Sequence, residues 1–130
     1  MKESIKKQNF KQEYFTQEKC YITELSNTPD DPEISIARAR VEPGVSTRRH
    51  RLKGVSERFF IISGKGLVEI GELSPQEVAA GDVMLIPSMC PQRITNTGKD
   101  DLIFPAICSP RFVQDAYEDI EDIIPVFNQR

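Results

Sequence analysis

The sequence is short of the residues from which most metal and redox schemes start. Its 130 residues include one histidine, His50, so any catalytic or metal scheme that needs two histidines from one chain is excluded. Cysteine is scarce and odd in number: Cys20, Cys90 and Cys108, with no CxxC pair. That count, and the absence of an apolar leader after Met1-Lys2-Glu3-Ser4, points to free thiols in a reducing cytoplasm. Each thiol stands among apolar neighbours, as in Pro105-Ala106-Ile107-Cys108, and reads as a small buried hydrophobe rather than a nucleophile. No apolar run approaches the roughly 20 residues of a membrane-spanning helix, so no membrane partner is expected. Positive charge is not in excess either. The 17 Lys and Arg stand against 20 Asp and Glu, a net charge of -3, whereas a general nucleic-acid binder is basic.

What is present is a soluble globular composition, 38% apolar and 28% charged, in a length that suits one domain. A chain of this size buries a core without disulfides or structural metals. Residues 1–18 are polar and Lys/Gln-rich and read as an arm, a short helix or a fraying end, with Phe10, Tyr14 and Phe15 as anchors. Residues 19–110 carry short β-type runs broken by turn signals such as Pro29-Asp30-Asp31-Pro32, Pro43-Gly44, Gly64-Lys65-Gly66 and Asn96-Thr97-Gly98. Many short strands at regular spacing indicate an all-β sandwich or barrel. In residues 111–130 the spacing of Phe112, Ala116, Tyr117, Ile120 and Ile123 predicts a short C-terminal helix and tail, and the acidic run from Asp115 to Asp122 reads as a solvated face.

Two segments carry a resemblance. Gly44, five spacers, His50, four spacers after position 52, Glu57, six spacers and Gly64 fall in one register. Gly81, Pro87 and Asn96 fall in a second. Together they resemble the two signatures of the cupins, in particular the small single-domain conserved-barrel members, with a degenerate metal motif. The resemblance covers roughly Cys20 to Cys108. It implies a jelly-roll β-barrel and a homodimer. It also implies, in members with the full motif, one divalent metal held by three His and one Glu. Here the second His of the first signature is Leu52, the His of the second is Gln92 and the internal Gly is Met89. Mapped position by position, the metal set is His50, Glu57 and Gln92. Of Mn, Fe, Ni and Zn, the harder Mn best suits an oxygen-rich remainder.

Strand alternation gives an expected pocket. With His50 inward, Arg48 and Leu52 follow. With Glu57 inward, Phe59 and Ile61 follow. With Gln92 inward, Ile94 and Asn96 follow, and Arg49, Arg51 and Arg93 face out. An apolar cavity with a few convergent polar groups suits a small-molecule ligand. If the barrel is an enzyme of the dioxygenase or isomerase kind, Glu57 is the expected acid or base, with His50 as its proton partner or a ligand. His50 and Glu57 as a satisfied buried pair is the structural alternative. The functional alternative is a non-catalytic binding or sensor barrel that has lost its metal, as Leu52 and Gln92 suggest. A sugar-phosphate isomerase is a third reading, which needs an anion site from Arg48.

Overall fold

The computed structural model describes residues 1–123. Eleven strands follow one another: β1 (Tyr14–Phe15), β2 (Tyr21–Ser26), β3 (Ser35–Val41), β4 (His50–Leu52), β5 (Ser56–Phe60), β6 (Lys65–Ile70), β7 (Gln76–Ala79), β8 (Val83–Ile86), β9 (Gln92–Asn96), β10 (Leu102–Ser109) and β11 (Tyr117–Asp119). They form two antiparallel sheets, ordered β1-β2-β3-β10-β5-β8 and β11-β4-β9-β6-β7. Two sheets face to face bury one side of each strand, which is why the strands alternate. In β9, for example, Gln92, Ile94 and Asn96 are buried while Arg93 and Thr95 are not.

The apolar core fills one end of the barrel, around Val41, Phe59, Ile61, Met84, Leu102 and Phe104, and a smaller cluster joins Leu52, Val55, Cys108 and Ala116. Between them the barrel stays open. The signature Asn96 closes the core end, not the site. Its amide donates to the carbonyls of Val41 and Asp100, each at 2.8 Å, and its oxygen accepts from Gly98.

The N-terminal arm is clamped. Arg40 grips Glu13 through two bonds of 3.0 and 2.6 Å, Arg38 lies 4.4 Å over the Phe10 ring, and β1 pairs with β2. Arg38 and Arg40 therefore lie under the arm rather than on an open solvated face.

The expected C-terminal helix requires correction. Within the described residues the segment makes one 3-10 turn, Gln114–Ala116, and then β11, which pairs with β4. The helical spacing was misleading because a strand ladder and two ion pairs decide this segment: Arg51 with Glu118, and Arg48 with Asp119 at 2.6 Å. Residues 124–130 of the expected tail lie outside the described residues.

Candidate functional site

The open part of the barrel is a cavity of about 510 Å³, reached between the arm and the C-terminal segment. His50, Leu52, Glu57, Phe59, Gln92 and Ile94 are among the residues that line it. Two expected residues do not. Ile61 is fully buried in the core beyond the cavity floor. Arg48 turns outward to Asp119 and Asp122. Alternation holds only within a strand, and β4 begins at His50. Residues 47–49 run irregularly, so Thr47 and His50 both end inside with Arg48 and Arg49 between them less buried.

The polar centre is built from both sheets. His50 and Gln92 are cross-strand partners on β4 and β9. Glu57 and Cys108 are cross-strand partners on β5 and β10. Gln92 Nε2 donates to Glu57 Oε1 at 2.8 Å, bridging the sheets, and Cys108 Sγ donates to Glu57 Oε2 at 3.6 Å. Burial pushes the Glu57 carboxyl up to about 7, against the opposing pull of Gln92, the His50 ring and Cys108. The Cys108 and Cys20 thiols are themselves pushed well up by burial, which keeps them protonated and poorly nucleophilic.

His50 Nδ1 donates to the Arg48 carbonyl at 2.8 Å, which fixes the ring and leaves Nε2 as its free nitrogen. Glu18 Oε2 lies 3.4 Å from that Nε2. The arm holds Glu18 there through the Thr16–Cys20 turn and a bond from the Arg48 amide to the Glu18 carbonyl, 3.0 Å. On the other side the Tyr117 ring stacks on His50, with centroids 5.0 Å apart. Its Oη is buried and has no hydrogen-bond partner among the described residues, and desolvation pushes its ionisation well upward. Glu18 and Tyr117 were not legible in the sequence, because they flank the barrel signature and no spacing ties them to His50.

The implied metal set does not fit these residues. Leu52 offers no donor atom. Gln92 turns its NH₂ group toward Glu57 Oε1, and a neutral amide is a weak ligand beside imidazole. No three His, Cys, Asp or Glu side chains among the described residues converge as ligands. Leu52→His restores the missing imidazole. It should raise Ni or Zn retained after desalting toward one ion per chain, read by elemental mass spectrometry. Unchanged metal content would show that Leu52 is not what withholds the site.

Residues 37–108 match the family described as Cupin domain. No curated protein matches the chain in sequence. Among solved structures, Pac13 from Streptomyces, a nucleoside dehydratase, is 16% identical over 88% of this chain and 90% of its own, with a TM-score of 0.73. A conserved protein with a double-stranded beta-helix domain from Klebsiella pneumoniae is 15% identical over 82% and 88%, with a TM-score of 0.69. A predicted oxalate decarboxylase from Thermotoga maritima is 27% identical over 70% of this chain and 80% of its own, with a TM-score of 0.64.

Proposed function

This chain belongs to the Cupin domain family, whose barrel serves many chemistries, and we propose that here it houses acid–base catalysis on a small organic molecule without a resident metal. One observation carries the reading. A buried carboxyl, Glu57, pushed up to about 7 by desolvation, stands at the wall of an otherwise largely apolar cavity. A group poised near the working pH both takes and returns a proton efficiently. His50 is its partner, oriented by the Arg48 carbonyl, and Gln92 fixes the carboxyl's direction. Such a pair suits an isomerisation, in which one group removes a proton and the other returns one to a different atom, or an elimination, in which the second proton goes to the leaving group. That a protein of the same fold is a nucleoside dehydratase supports elimination as the first chemistry to test.

The homodimer and the cytoplasmic setting belong to this reading. The outward apolar side chains Phe60, Ile62, Val83 and Leu85 give such a dimer a face, and the three cysteines are free thiols.

The test is a chelator-treated metabolite extract incubated with the protein and followed by mass spectrometry. The expected result is one consumed compound and one product, of equal mass or lighter by one water, with Glu57→Gln inert. Turnover that appears only after adding a divalent metal would contradict the reading. So would an extract left unchanged, which would favour the sensor barrel.

A further inference from the structure

The charge on the cavity wall has a sign, and the sign selects the ligand. Glu18, Glu24 and Glu57 all line the cavity, yet among its described lining residues there is no Lys or Arg, and His50 is the one basic side chain. Arg48 and Arg40, which do not line the cavity, are paired with other carboxylates: Arg48 with Asp119, and Arg40 with Glu13 and Asp101. The carboxylates feel one another. Glu18 opposes ionisation of Glu57, and both Glu57 and Glu24 act on Cys108 between them. An anion entering this space meets repulsion with no guanidinium or ammonium to offset it. The sugar-phosphate reading, which needed Arg48 inside, loses its anion site for this reason.

Aliphatic and small polar side chains make up much of the remaining wall, and six aromatic rings stand among them. Tyr14, Phe15, Phe59, Phe104, Phe112 and Tyr117 border the same cavity. Ring faces attract organic cations and pack against flat apolar bodies. The carboxylates stand on the arm, β2 and β5 rather than converging, so a bare metal ion finds no common point among them, whereas an ammonium on a carbon frame sits in their joint field. The buried Tyr117 Oη, which finds no hydrogen-bond partner among the described residues, borders this space as a donor.

We infer that the ligand of this cavity is a protonated organic amine of about the size of one or two rings. Its ammonium lies in the field of Glu18 and Glu57, its body lies against the aromatic rings, and an acceptor atom receives the Tyr117 hydroxyl. The inference rests on the proposed use of this same cavity and names its substrate class. It makes Glu18 a specificity residue held over the site by the arm.

Matched compounds test it. Tyramine, tyrosol and 4-hydroxyphenylacetate share one body and carry an ammonium, a hydroxyl and a carboxylate. Tryptamine and histamine, with their hydroxyl and carboxylate counterparts, extend the set. Binding is read by ligand-observed NMR and calorimetry on the full chain at neutral pH. The expected order is ammonium, then hydroxyl, then carboxylate, with at least a tenfold preference for the amine in the best-fitting body. Glu18→Gln should shrink that preference several-fold, the amine losing more affinity than the hydroxyl compound. Tyr117→Phe should weaken all members of a series together. Equal affinities, a preference for the carboxylates, or no binding by any amine would overturn the inference. The two readings fail separately. Amine binding without turnover in any extract spares this inference and sinks the catalytic one. A consumed metabolite that proves anionic does the reverse.

Discussion

Replacing Glu57 by Gln should lower turnover by about 10²- to 10⁴-fold, the usual contribution of a positioned acid or base, and should stabilise the fold above neutral pH. The second effect follows from linkage. The Glu57 carboxyl is raised from 4.5 to about 7 in the folded chain. Between those values the folded state holds more protons than the unfolded state, so stability falls as pH rises through that window and then levels off. At about 1.4 kcal/mol per pH unit, a rise from 4.5 to about 7 sets an upper limit of about 3–4 kcal/mol on the cost. Glutamine keeps the shape and still accepts from Gln92, but it carries no charge to desolvate. Wild-type stability from urea unfolding should therefore decline between about pH 4.5 and 7, and the variant should lose most of that decline. The groups facing Glu57 are His50, Glu18, Cys20 and Cys108 besides Gln92, and none carries a permanent positive charge that would hold the carboxylate ionised. A residual slope in the variant belongs to Glu24, which desolvation also raises. Glu13, Glu69 and Asp119 are held low by their arginine partners and act only at more acid pH. Identical pH profiles for the two proteins would show that Glu57 bears no buried charge.

Gly64→Ala should damage the fold far more than Gly81→Ala, although both glycines occupy signature positions with positive φ, +93° and +97°. Holding an alanine in that region costs about 1–3 kcal/mol. At Gly81 that strain is the whole penalty, because a Cβ there meets nothing within 4 Å. At Gly64 the same Cβ would lie 2.8 Å from the Asp101 carbonyl oxygen and 2.9 Å from the Leu102 Cα. Those are backbone atoms at the start of β10, and Leu102 is fully buried in the core. Neither can step aside, so β10 and the turn before β6 must separate. The expected result is a loss of more than about 3 kcal/mol or an insoluble chain, against a midpoint shift from strain alone at Gly81. Equal penalties in chemical unfolding would contradict the packing argument.

The barrel was legible because its signal is local. Turn glycines, Pro87 and period-two runs each constrain a few neighbouring residues, and β8 and β10 fall where those signals place them. His50, Glu57 and Gln92 were legible as a meeting point because strand alternation fixes which face each occupies. Arg48 failed for the same reason that His50 succeeded: the rule ends where β4 ends, and a strong acidic partner on β11 draws the guanidinium outward. The C-terminal segment failed because apolar spacing reports which residues are covered, not what covers them. Tyr117 and Ile120 are covered by β4 and its flank, as the bond from the Ile120 amide to the Arg49 carbonyl records. Glu18 could not be found at all from the sequence. It is held beside His50 by the Thr16–Cys20 turn and the bond from the Arg48 amide to its carbonyl, on an arm that Glu13 pins to Arg38 and Arg40, and no short-range pattern encodes that.

The central claim is that a buried carboxyl in this cavity exchanges its proton near neutral pH. The direct measurement is the titration of the Glu57 carboxyl carbon by NMR on glutamate-labelled protein, assigned by the signal missing from Glu57→Gln. The account requires a midpoint near 7. A midpoint near the ordinary 4.5 would contradict it, because a carboxylate fully ionised at working pH does not store the proton.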